Sequence, residues 1–534
     1  MLFQWLAGSL ILGVLSHLLY FMKGEHHLKG PTYATLLGLV WAIFTAVQTF
    51  VDVEGTDAAR QSTSILSCYL LGLYGSMIVY RAFFHSLHHF PGPKLARLSN
   101  LWHVAQLSDW RNHELMERLH RRYGDIVRIG PNEVAVFTPE GFVAIHGPGS
   151  TCTKPAWYEM LDQNTSTHNT RIPEIHRVRR RLWDQGLSAK ALQTYQDKIN
   201  AKVKQLKANI FQRLETKINC TELFVYFGFD VMGEFAFGES FGMLESNRQH
   251  AGIQIIKKGM LVVGRFTPVP WLILLLQSLP FVKADWYRLQ AFAHEQVLKR
   301  IAMKRDDQDV ISKLIEGGRD PDDATKIDMH WLLGDALTMI VAGSDTVSIV
   351  LTFLFYEIAQ TPTYIAKLRH ELENVDITDN RELQSLPLLN ALINETLRLH
   401  PPVPTGPLRQ TPSEGLRIGN IHIPGDVQIS APLWSLGRLE SSYTKAGEFV
   451  PERWYEGSGM IHDKRGFAPF LAGKYTCVGK QLAMMEVRLV AAALVTGFDF
   501  EFVKGGDNTV VKDTKDCFTA ITGPLELLFK KTTD

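Results

Sequence analysis

The chain has 534 residues, 46% of them hydrophobic and 21% charged, with a formal net charge of +1. That balance offers no basic or acidic excess to hold a polyanion, so no nucleic-acid partner is expected. Five scattered cysteines (Cys68, Cys152, Cys220, Cys477 and Cys517) are odd in number and include no C-x-x-C pair. A disulfide framework, a zinc ribbon and a thioredoxin-type site are therefore disfavoured, and reduced thiols are expected.

Three uncharged apolar stretches open the chain, at 2–22, 31–51 and 61–80. Each reaches the roughly 20 residues that a helix needs to cross a bilayer, so 1–85 is expected to be a membrane anchor. A cleaved signal peptide fits the first stretch less well, because no basic segment precedes it and its apolar run is long. The connections differ in charge. Lys23 and Lys29 lie in the first, Asp52, Glu54 and Asp57 outweigh Arg60 in the second, and Arg81, Lys94 and Arg97 follow the third. The positive-inside rule then puts the first connection and everything after the anchor on the cytosolic side. Residues 86–105 contain His88-His89-Phe90-Pro91-Gly92-Pro93, which no helix can continue through, and are expected to form a stiff hinge. No composition shift interrupts 106–534, which is expected to be one domain.

Within it, apolar spacing predicts helices at 109–123, 189–214, 284–304, 328–360 and 362–374, and short strands at 125–129, 133–137, 416–418, 422–423 and near 526–529. The fold class is mainly α with a minor β sheet. The stretch 271–281, WLILLLQSLPF, is apolar but too short to span a bilayer. The 328–360 helix is apolar nearly throughout, which suits a helix running through the core. Its centre holds Ala342, Gly343, Asp345 and Thr346. Glycine costs about 1 kcal/mol against alanine inside a helix, and a buried carboxylate needs partners. A kink with local side-chain hydrogen bonds would explain these residues without any chemistry.

The segment FAPFLAGKYTCVGKQLAMMEVR, 467–488, sets Cys477 in a loop between Gly473 and Gly479, with a helix following. A thiolate there would gain from the helix dipole and free N–H groups, and the glycines let backbone approach a flat ligand. Glu395 and Arg398 share a helix face that Pro401 and Pro402 terminate, and Arg453 lies in Pro451-Glu452-Arg453-Trp454. Taken singly, each of these has an ordinary structural explanation.

Together, AGSDT, ExxR, PERW and a glycine-flanked cysteine, in that order, resemble the cytochrome P-450 family over everything after residue 90. The resemblance implies a haem b cofactor with Cys477 as its metal ligand, and a buried structural ion network of Glu395, Arg398 and Arg453. It further implies proton relay by Asp345 and Thr346 toward dioxygen, and a helix notch at Ala342 and Gly343. His176, Arg180 and Arg409 would hold the haem propionates, with Phe470, Gly473, Lys474 and Gly479 lining the cofactor loop. The implied activity is O2-dependent monooxygenation of a hydrophobic small molecule at the endoplasmic reticulum membrane. Electrons would come from a separate NADPH-cytochrome P-450 reductase, docked on a basic surface that includes Lys474, Lys480 and Arg488. By position, 271–281 resembles an access-channel loop. Peroxide rearrangement and a non-catalytic haem-binding membrane protein are the alternatives, and Asp345-Thr346 weighs against both. The three-span anchor and the Lys-Tyr-Thr before the cysteine resemble fungal members serving secondary metabolism. One departure stands out. Tyr475 occupies the place where the family's cysteine loop usually has an arginine.

Overall fold

The computed structural model describes residues 2–26, 28–51, 53–161, 165–277, 279–303, 309–319, 326–505 and 509–532. Three helices long and apolar enough to cross a membrane open the chain, at Leu2–Phe21, Gly30–Phe50 and Gly55–Phe84. The third begins earlier than its apolar stretch, because Asp57 and Arg60 pair at 3.4 Å one turn apart and continue the helix into a polar first turn. Small residues bring the first and third helices into backbone contact. A Cβ added at Gly13 would lie 2.1 Å from the Tyr69 carbonyl oxygen, and one at Gly72 2.1 Å from that of Leu10. His17 with Ser76, Trp41 with Thr63 and Gln48 with Ser62 add hydrogen bonds between the helices.

The Pro-rich stretch after the anchor is fastened to the body. Leu87 and Phe90 are buried in an apolar cluster with Val134, Val136 and Ile429. The Arg128 amide donates to the Pro91 carbonyl at 2.7 Å, and Arg97 donates to the carbonyls of His88 and Phe90.

At the centre runs the helix Met329–Gln360, capped by the Asp328 carboxylate. Its 32 residues make it about 48 Å long at 1.5 Å per residue. Although its composition would allow a membrane span, most of its length is buried inside the protein. The helix Cys220–Phe237 crosses it, and glycines set the closeness. A Cβ on Gly228 would meet the Ser344 carbonyl oxygen at 2.8 Å, and one on Gly343 the Met232 sulfur at 2.2 Å. Gly343 thus admits a neighbouring helix. The Cys220–Phe237 helix is buried on nearly every side, so its sequence carries no amphipathic period to reveal it. Pro387–Leu399 and Lys480–Gly497 complete the core.

The sheets are small, as expected. Ile126–Gly130, Glu133–Val136, Gln428–Ser430 and Arg409–Gln410 form one in that order. Only the pairing of Glu133–Val136 with Gln428–Ser430 is parallel. A second joins Lys217–Asn219, Glu526–Lys531 and Phe498–Phe502. The 271–281 stretch divides into Pro270–Gln277, with Ile273 buried, and the start of Pro280–Ala302.

Candidate cofactor site

One cavity of about 330 Å³ lies between the long helix and the cysteine loop. Of the residues expected at the site, Cys477, Phe470, Gly479, His176, Arg180, Arg409, Ala342, Gly343 and Thr346 line it, whereas Asp345, Gly473 and Lys474 stand behind the wall. All five cysteines are free thiols, and only the Cys477 side chain is exposed, opening into this cavity.

The loop geometry explains its glycine pattern. The Cys477 amide donates to the Phe470 carbonyl at 2.8 Å, closing the loop between them. Gly473 has φ +62°, and a Cβ there would fall 2.6 Å from the carbonyl oxygens of both His146 and Gly147. Only glycine meets both demands. The helix Lys480–Gly497 begins directly after. Burial raises the Cys477 thiol, while the N–H groups of Gly479 and Lys480 and the charges of Arg180 and Lys480 pull it down. A metal cation at the sulfur would favour the thiolate further.

Glu395, Arg398 and Arg453 form a closed network with no exposed side chain. The Glu395 carboxylate accepts from Arg398 at 2.7 and 2.9 Å, from Arg453 at 2.9 Å, from the Val450 amide at 2.8 Å and from Trp454 Nε1 at 2.9 Å. Arg398 also donates to the carbonyls of Gly437, Ala446 and Glu448, and Arg453 to those of Thr444 and Lys445. Pro387–Leu399 is thereby tied to the chain that leads into the cysteine loop. None of the three lines the cavity.

A second charged cluster is built differently. Arg409, 2% exposed, donates to the Leu408 carbonyl at 2.7 Å and weakly to the Tyr158 hydroxyl at 3.4 Å, while its Nε finds no acceptor. Lys154, absent from the sequence-based candidates, is also buried, with Nζ on the carbonyls of Thr167 and His168 at 3.1 and 2.6 Å. Tyr475 lies among them. The cations of Arg409, Lys154 and Lys474 stand 4.6, 5.0 and 5.2 Å from its ring, and His176 meets it edge-on at 4.9 Å. Its hydroxyl is buried without a partner. Among the described residues, no carboxylate pairs with Arg409 or Lys154.

The electrostatics register the crowding. Burial, then Arg409, pushes Lys154 down to about 7, with Asp335 opposing. His176 is pushed down to about 4 by burial and by Lys154, Arg180, Arg409 and Lys474. Arg180 is better satisfied, with Nε on Asp184 at 2.8 Å and Nη1 on the Thr476 carbonyl at 2.6 Å. Buried cations without counter-charges are costly, and they sit on the same cavity as an open thiol. A flat, largely apolar group bearing a metal and two carboxylates fits this donor set, and haem is such a group.

On the opposite wall, Thr346 Oγ1 donates to the Ala342 carbonyl at 2.7 Å, a bond within one helical turn. Burial pushes half-buried Asp345 up to about 6, with Lys257 opposing. Arg488 departs from expectation. It is buried, with Nε on Asn390 at 2.8 Å, and does not contribute to a basic surface.

This is the layout of a haem-thiolate oxygenase, and comparison with known proteins agrees. The sequence profile described as Cytochrome P450 matches residues 91–529. Tryprostatin B 6-hydroxylase of Aspergillus fumigatus is 34% identical, over 96% of this chain and 93% of its own. Cytochrome P450 monooxygenase notG' of Aspergillus versicolor is 36% identical, over 95% and 94%. Cytochrome P450 monooxygenase lcsK of Purpureocillium lilacinum is 38% identical, over 96% and 95%. The crystal structure of cytochrome P450DA heme domain superposes with a TM-score of 0.70 at 15% identity, covering 83% of this chain and 98% of that one, which speaks to the fold alone. The chain belongs to the cytochrome P450 family. Its members are haem-dependent monooxygenases with a cysteine thiolate on the iron, taking O2, a small-molecule substrate and electrons from a redox partner.

Proposed function

We propose that this chain hydroxylates a hydrophobic small molecule of fungal secondary metabolism, with Cys477 as the iron ligand. The observation that carries the reading is the convergence, on one cavity, of an open thiol with buried Arg409 and Lys154, which have no carboxylate partner among the described residues. Arg409, Lys154, His176 and Arg180 would hold the propionates, with the Tyr475 hydroxyl as a further donor. Lys154 thus brings a cation where the cysteine loop has Tyr475 in place of arginine. Haem, when bound, supplies the activation of O2. This chain's residues position it, keep the cavity largely apolar and deliver protons from the Asp345 carboxyl by way of Thr346, which faces the cavity. The name of one relative, tryprostatin B 6-hydroxylase, supports insertion of oxygen into a C–H bond.

Electrons would come from NADPH-cytochrome P450 reductase, docking near exposed Lys474 and Lys480. The three N-terminal helices would place the protein in the endoplasmic reticulum membrane. The contact of Glu25 in the first connection with Arg171 of the catalytic domain supports a topology with both on one side of the bilayer, as do the charges of Lys23 and Lys29.

Asp345→Asn tests the relay. Haem content should persist, product formed per NADPH should fall about a hundredfold, and the limb of the rate profile near pH 6 should disappear. Coupled turnover at the wild-type level would remove Asp345 from the scheme.

A further inference from the structure

The membrane anchor meets the catalytic domain at a place that tethering alone does not require. In the connection between the first two spanning helices, the Glu25 carboxylate takes both terminal nitrogens of Arg171, at 2.6 and 2.7 Å. The same guanidinium pairs with Glu159 at 3.1 Å, and its Nε donates to the carbonyl of Lys154 at 3.1 Å. Three residues on, Leu28 packs on the cluster of Trp157, Tyr158, Met160 and Ile273, against which Phe518 also packs. At the start of the second span, a Cβ on Gly30 would lie 2.8 Å from the Trp271 Cβ. The outer face of this wall is therefore covered by the anchor.

Its inner face is the cavity, lined by Lys154, Tyr158, Thr167, His168 and Phe518. The aromatic members are coupled to one another. Trp157 stacks on Phe518 with centroids 5.3 Å apart, and His168 meets Tyr158 and Phe518 edge-on at 5.5 and 5.9 Å. From within, the long helix grips the wall through Asp335, which takes the Thr167 amide at 2.7 Å and Arg179 at 2.8 Å. The wall is thus held from both sides, by the core helix inside and by the first connection of the anchor outside.

We infer that Glu25 and Leu28 are positioning residues of the substrate pocket, so that the membrane anchor helps set the shape of the cavity and the affinity for bulky ligands. The inference rests on the haem-monooxygenase reading above. A bidentate arginine–carboxylate pair has the geometry that distinguishes effective ion pairs from idle surface ones, and its guanidinium also holds the backbone of a cavity residue.

The test uses the full chain in lipid nanodiscs and two probes, the bulky azole clotrimazole and small imidazole, each titrated by the Soret shift. Glu25→Arg should weaken clotrimazole binding about fivefold and leave imidazole within about twofold. The reduced carbon-monoxide spectrum should stay unchanged. The conservative variant Glu25→Asp, which keeps the charge facing Arg171, should retain most of the clotrimazole affinity. Wild-type clotrimazole binding in Glu25→Arg would overturn the inference. So would equal weakening of both azoles, loss of the carbon-monoxide spectrum, or a loss in Glu25→Asp as large as in Glu25→Arg. Failure of the underlying haem reading would show separately, as a wild-type protein without a thiolate-type carbon-monoxide spectrum.

Discussion

Two clusters of buried charge lie in this molecule and have opposite states of satisfaction. Around Glu395, one carboxylate meets two guanidinium groups, and the remaining N–H donors reach backbone carbonyls. Around Tyr475, Arg409 and Lys154 are buried with no carboxylate partner among the described residues, and two polar atoms, Arg409 Nε and the Tyr475 hydroxyl, lack acceptors. Burial alone does not separate the clusters. Pairing does. A closed network spends its charges on holding chain to chain, whereas an open one keeps its charges for something that arrives with the opposite sign.

Three substitutions would break or sharpen that contrast. The largest effect is expected from Arg398→Ala, which takes two hydrogen bonds from the buried Glu395 carboxylate and strands the carbonyls of Gly437 and Ala446. Breaking a buried pair costs about 3–5 kcal/mol, enough to prevent assembly of the folded holoprotein, and the reduced carbon-monoxide spectrum of the membrane fraction should vanish. Arg409→Ala should act the other way on the two states of the protein. Haem should leave about tenfold faster, measured by transfer to apomyoglobin, while the haem-free protein melts at an equal or higher temperature because an uncompensated charge is gone. Equal destabilisation of both states would put Arg409 with the closed network.

A third effect is a pH signature. Lys154 is held down near 7 in the haem-free fold against roughly 10.4 when unfolded. Between those values the unfolded chain binds more protons than the folded one, so stability of the haem-free protein should rise with pH through that window. The slope can reach about 1.4 kcal/mol per pH unit. Propionates beside Lys154 would restore its charge and flatten the slope, and Lys154→Met should flatten it without haem. Denaturant melts at pH 7, 8 and 9 would show it.

Much of the catalytic framework was legible before any coordinates. Amphipathic period marked the helices at 189–214 and 362–374 to within a few residues of Ala189–Phe211 and Thr363–Glu371, because each packs one face only. The glycines around Cys477 were legible because a positive φ and a backbone approach leave a residue-type signature. The Cys220–Phe237 helix was not legible, since a helix buried all round shows no period. Arg488 departs from the expected basic surface because charge in a sequence does not reveal a partner such as Asn390, 98 residues away in the chain. Trp454 belongs to the Pro451-Glu452-Arg453-Trp454 motif, but only the fold shows that it donates to Glu395.

Local chemistry, then, was determined by the sequence itself: which cysteine sits before a helix, which acid and hydroxyl interrupt an apolar helix, and which stretches can cross a bilayer. These depend on neighbours within a turn or two. The tertiary structure decided which buried charges are paired, that Lys154 comes to stand against Tyr475, and that the anchor's first connection reaches the cavity wall. Pairing is a relation between residues distant in the chain, and a residue's own identity carries no record of whether a counter-charge will lie beside it once the chain has folded.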